Sequence, residues 1–192
     1  MSDLHRDVGQ FLWDRGFGRN RAIQAENFLA YLASIPQIPA SLLADDPDLP
    51  LLSLADPRPG LLRNCRLLGI QFDELGYKDG DAVPFDERFV LPTAPFWFRH
   101  DDGRTNRNRR PDHCRDALTG DIQAGTAMEG IFALTHHPSI GEHIMDLPGT
   151  VNGSMRVDCA FLSVSDGRVE LSLLRKFDLA HPDCWTLRVR RK

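Results

Sequence analysis

Residues 157–174 carry two apolar runs joined by Ser165-Asp166-Gly167-Arg168, and no other stretch narrows the fold as much. Asp-Gly supplies the positive φ angles of a tight reversal, so the two runs form a β-hairpin. Val157, Cys159 and Phe161 alternate on the first strand, and Val169, Leu171 and Leu173 on the second. The residues between them, Ala160, Leu162, Val164 and Leu174, are apolar too. A strand that is apolar on both faces must be covered on both, which puts this hairpin at the centre of a sheet with layers against it.

Helices supply such layers. Thr126-Ala127-Met128-Glu129 is a capping box, in which the threonine hydroxyl accepts from the Glu129 N–H and the glutamate reaches back. It predicts a helix that turns Met128, Ile131 and Phe132 inward and stops before Pro138. Leu4, Val8, Phe11 and Leu12 share one helical face, predicting a first helix over 3–15 that ends at Gly16. Asn20 is placed to cap a second, with Ala25, Phe28, Leu29, Leu32 and Ile35 at helical spacing up to Pro36. Six prolines from Pro36 to Pro59 then exclude long helices and predict a linker or wrapping connection.

Further on, Leu61, Leu62, Cys65 and Leu68 predict a short helix ending near Gly69, and Pro111 begins another through Leu118. Residues 88–91 read as an edge strand, Phe96 starts the sheet proper, Leu147-Pro148-Gly149 marks a turn, and 185–191 forms a last strand. The expected fold is α+β. A helical hairpin and proline-rich linker (1–60) precede an α+β core domain (61–192), in which an antiparallel sheet of three to five strands packs on helices.

The most chemically distinctive segment is 94–115. Phe96, Trp97 and Phe98 favour a strand, Asp102-Gly103 a turn, and Arg99, Arg104, Arg107, Arg109, Arg110 and Arg115 follow closely. Planar guanidinium groups suit bidentate contact with phosphate or carboxylate. Trp97 and Arg99 fall on one strand face and are expected to be an exposed pair beside Arg104, Arg107, Arg109 and Arg110. The competing account has Asp101, Asp102, Asp112 and Asp116 neutralise these arginines on a solvated loop. Arg188, Arg190, Arg191 and Lys192 form a second basic cluster.

His136 and His143 with Asp146 offer imidazole and carboxylate ligands within a few residues, a weaker alternative for a metal site or acid–base chemistry. Their spacing is not that of the His-Glu-x-x-His zinc motif. No nucleophile elbow, P-loop or complete dinucleotide fingerprint is present, so ordinary serine hydrolases, P-loop NTPases and Rossmann dehydrogenases lose support. Four widely spaced cysteines, Cys65, Cys114, Cys159 and Cys184, read as reduced structural thiols. The first ten residues lack a basic and apolar leader pattern, and no apolar run approaches the ~20 residues that span a bilayer, so a cytoplasmic protein is expected.

The net charge of −4 does not demand a polyanionic partner. The functional expectation is a non-catalytic binding or regulatory protein, without a cofactor, that recognises an acidic protein surface, nucleotide or other anion through the arginine loop. Nucleic acid is a less favoured partner. The alternative is a metal-assisted hydrolase or phosphate-ester transferase built on His136, His143 and Asp146.

Overall fold

A computed structural model describes residues 3–72, 90–152, 158–176 and 178–191. The fold is α+β, with two sheets and a buried helix between them. Helices α1 (Asp3–Asp14), α2 (Phe28–Ala33) and α3 (Ala40–Leu43) precede strand β1 (Leu51–Ala55), helix α4 (Leu61–Leu68) and the two-residue strand β2 (Gln71–Phe72). There follow β3 (Phe96–His100), a 3-10 turn at Arg104–Asn106, α5 (Pro111–Ala117), β4 (Gln123–Ala124), α6 (Ala127–His136) and a second 3-10 turn at Pro138–Glu142. The remaining strands are β5 (Ile144–Asn152), β6 (Asp158–Ser165), β7 (Arg168–Lys176), β8 (Cys184–Thr186) and β9 (Arg188–Arg190).

Helix α6 is the hub. Its capping box forms as the sequence predicts: Thr126 Oγ1 accepts from the Glu129 N–H at 3.3 Å, and a Glu129 carboxylate oxygen accepts from the Thr126 N–H at 3.0 Å. Every residue from Ala127 to Leu134 is buried, because the helix contacts β1 on one side and β5 and β6 on the other. Burying a side chain such as Ile131 or Phe132 contributes about 1.5–3 kcal/mol. Gly130 permits the close approach: a Cβ there would stand 2.6 Å from Leu147.

One sheet runs β1-β3-β9-β4, antiparallel throughout. The other runs β2-β7-β6-β5-β8, and the expected hairpin β6–β7 occupies its middle. The centre is antiparallel, whereas the edge pairs β2–β7 and β5–β8 are parallel. Met145, Leu147, Ala160, Leu162, Leu171 and Leu173 belong to the main core, which also holds Leu12, Phe17 and Tyr31 from the N-terminal segment. The expected last strand divides at Leu187, whose N–H donates to the Asp146 carbonyl, so β8 joins one sheet and β9 the other.

Several local expectations are corrected. The proline-rich stretch contains β1, and Leu51, Leu52, Ser53, Leu54 and Ala55 pair with β3 in unbroken register. The second helix is capped by Asn27, not Asn20; Asn20 instead holds a turn by accepting from the Ala22 N–H at 2.9 Å. Leu147-Pro148-Gly149 makes no reversal but a register shift within β5. Of the edge strand expected at 88–91, residues 90 and 91 lie outside any strand, and the first two lie outside the described residues.

Candidate functional site

Strand β3 carries two chemically different faces. Trp97 and Arg99 point to the N-terminal segment, where Trp97 Nε1 donates to the Pro36 carbonyl at 2.8 Å. Arg99 Nε donates to the Leu42 carbonyl at 2.8 Å, and its NH1 to those of Leu49 at 3.1 Å and Pro50 at 3.3 Å. The two residues are only 1% and 8% exposed, so the expected surface pair is buried. A guanidinium in a low-polarity setting needs acceptors, and three carbonyls of a proline-rich segment take the donors of Nε and NH1.

On the other face lies His100, whose Nδ1 is 2.8 Å from the Asp101 carbonyl and whose Nε2 is 3.0 Å from Ser53 Oγ. A carbonyl only accepts, so Nδ1 carries the proton and the serine hydroxyl donates to Nε2. The order nucleophile, base and orienting group is that of a catalytic dyad. Both side chains are nevertheless 0% exposed, which gives this pair a structural role. Burial lowers the His100 pKa to about 3 and keeps the ring neutral.

Beyond β3 the chain reverses at Gly103 (φ +82°) and lies on β8. A Cβ on Gly103 would stand 3.0 Å from Trp185 Cβ, so glycine serves both the turn and the contact. The Asn108 N–H donates to the Cys184 carbonyl at 3.3 Å, and Arg107 Nε to the Pro182 carbonyl at 3.0 Å. Trp185 is the platform beneath the loop. His143 stacks on its ring at 3.5 Å with a 25° tilt, and the Arg104 and Arg107 guanidiniums lie 5.5 and 5.9 Å from the indole centroid. Cation–π attraction favours these placements. Burial, only partly opposed by Asp102, lowers the His143 pKa to about 4.

The loop arginines divide into two groups. Arg104, 64% exposed at its side chain, faces Asp102 at 3.2 Å and Glu142 at 3.9 Å; Arg110 grips Asp112 with two bonds of 2.5 and 3.1 Å. Arg115 pairs with Asp116, as the solvated-loop account expects, whereas Asp101 turns inward to Arg188 at 2.6 Å. Arg107 and Arg109 are exposed, and among the described residues neither has a carboxylate partner. Among the described residues, Arg109 donates to the Asn106 side-chain oxygen at 3.4 Å.

The three arginines of the second basic cluster are used internally, and Lys192 lies outside the described residues. Arg188 holds Asp101; Arg190 pairs with Asp46 and with Asp121; Arg191 binds both oxygens of Glu129, at 2.7 and 2.9 Å, and also Gln123.

His136, His143 and Asp146 have separate surroundings. His136 packs between Phe11 and Phe132 at 5.6 and 6.2 Å, and burial lowers its pKa to about 3. His143 belongs to the Trp185 stack. Asp146 is buried and accepts from Arg175 Nε at 3.0 Å; burial nonetheless raises its pKa to about 6. Cys114, Cys159 and Cys184 are near enough to feel the Asp146 charge, and burial pushes all three thiols upward, Cys184 to about 11. Among the described residues no group of three or more His, Cys, Asp or Glu side chains is arranged to hold a metal ion.

Sequence reasoning missed Trp185 and His143 as the support of the loop. Their contact joins β8 to the segment before β5, and no spacing pattern announces it. Compared with known families, curated proteins and solved structures, the chain matches none. Among the described residues no helix is long and apolar enough to cross a membrane.

Proposed function

We propose that this is a non-catalytic binding or regulatory protein that recognises an anionic partner through the loop bearing Arg104, Arg107, Arg109 and Arg110. One observation carries the proposal: Arg107 and Arg109 are exposed without a carboxylate partner among the described residues, on a loop tied by a backbone bond to β8 and by a side-chain bond to Pro182 just before it. Holding guanidiniums in place before binding lowers the ordering cost of association. Four buried free cysteines suit a reducing, cytoplasmic setting.

A thermal-shift series at low salt tests this, using phosphate, nucleotides, short DNA and RNA, and acidic peptides. A ligand of the native state raises Tm by mass action. The double variant Arg107→Ala/Arg109→Ala is expected to keep the ligand-free Tm within about 2 °C, because exposed charges contribute little, and to lose the shift. If the variant retains every shift and every captured partner of the parent protein, the loop is not the site.

A further inference from the structure

Among the described residues the arginine loop offers charge without an open aromatic surface. Phe96, Trp97 and Phe98 are buried. Trp185 already carries His143 at 3.5 Å and the guanidiniums of Arg104 and Arg107 at 5.5 and 5.9 Å. Among the described residues every phenylalanine, tyrosine and tryptophan is buried or half-buried. Proteins that hold single-stranded nucleic acid or nucleosides by their bases commonly stack them on aromatic rings. Here a base would first have to displace an imidazole or two guanidiniums from the indole.

The charge pattern also selects. Arg110 is held by Asp112 through two bonds, of 2.5 and 3.1 Å, while Arg104 is shared between Asp102 at 3.2 Å and Glu142 at 3.9 Å. Arg107 and Arg109 therefore leave two open positive charges, with Arg104 as a third group whose exposed pairs are weak enough to exchange. A ligand with two or more charges on adjacent centres, each presenting several acceptor oxygens to a guanidinium fork, matches this pattern.

We infer that the loop binds an oligophosphate, inorganic or as the phosphate tail of a nucleotide, and reads its oxygens alone, with no stacking contact to a base. The inference rests on the anion-binding proposal above and names its ligand class. Isothermal titration of the full chain with sodium tripolyphosphate, ATP and adenosine, in metal-free buffer with chelator, tests it. Tripolyphosphate and ATP are expected to bind within about fivefold of one another, and adenosine not to bind at millimolar concentration. Raising NaCl from about 50 to 300 mM should weaken both phosphates in parallel, because exposed charges are screened. Arg107→Gln/Arg109→Gln should weaken both at least about tenfold, with the far-UV spectrum unchanged.

ATP binding more than about tenfold tighter than tripolyphosphate would reveal a base contact and overturn the inference. Binding of a polyglutamate peptide without tripolyphosphate would overturn it while leaving the anion site standing. No binding by phosphates, peptides or nucleic acids would remove both.

Discussion

Arg99, Arg175, Arg188 and Arg191 are largely buried, and each ends on fixed acceptors: backbone carbonyls for Arg99, and Asp146, Asp101 and Glu129 for the others. Arg107 and Arg109 stand a few residues beyond Arg99 in sequence, yet they lie in solvent with no carboxylate among the described residues. Charge density along the chain does not separate these groups; position does. A guanidinium on a central strand reaches the carbonyls and carboxylates of neighbouring segments, whereas on the loop Arg107 gives only its Nε to the Pro182 carbonyl and keeps its other donors for something else. The buried set thereby serves stability, and the loop set is the one proposed above for binding.

Removing a buried member should have the largest effect. Arg191→Ala strands Glu129 inside the protein without its bidentate partner and is expected to cost about 3–5 kcal/mol in urea unfolding. A loss below about 1 kcal/mol would mean that the capping box alone satisfies the carboxylate. Arg99→Met should cost up to about 3 kcal/mol, because the carbonyls of Leu42, Leu49 and Pro50 lose their donor, again read from the unfolding midpoint.

Next comes pH. The folded pKa of His100 lies at about 3, below its ordinary 6.5, so its contribution is complete above pH 6.5 and is lost as pH falls towards 3. At pH 5 that loss is about 2 kcal/mol, and His136 acts with the same sign. Asp146 opposes them. Its pKa is raised to about 6, so the native state takes up its proton first and gains stability as pH falls through that value, by about 1 kcal/mol at pH 5. Asp146→Asn should therefore steepen the acid loss between pH 7 and 5, and an unchanged slope would contradict the assignment. The smallest stability effect belongs to Arg107→Ala/Arg109→Ala, within about 0.5 kcal/mol by the same unfolding assay. A larger loss would place these arginines with the buried set.

Much of this division was hidden in the sequence. The capping box at Thr126, the hairpin around Asp166-Gly167 and the helix closed by Gly69 were legible because each is specified by residues within a few positions. Strand β1 was not, since the prolines on either side of it argue against regular structure and its stability comes from β3, more than forty residues later. Period-two alternation correctly put Trp97 and Arg99 on one face. It could not say which face would be covered, because the covering carbonyls come from Pro36, Leu42 and Leu49. The pairing of Asp102, Asp112 and Asp116 with their neighbours was readable for the opposite reason: all three contacts are local.

The place of β9 between β3 and β4 has a consequence for how the protein is made. As the chain leaves the ribosome, β1 and β3 emerge early and can pair, but the neighbour that covers the free edge of β3 arrives only with residues 188–190. Glu129 likewise waits for Arg191. Until then a nascent sheet presents an open edge, the kind of surface that chaperones bind and that aggregation exploits. Closure of this sheet thus waits for the insertion of one short strand, and a pause in synthesis just before it would prolong the exposure of that edge.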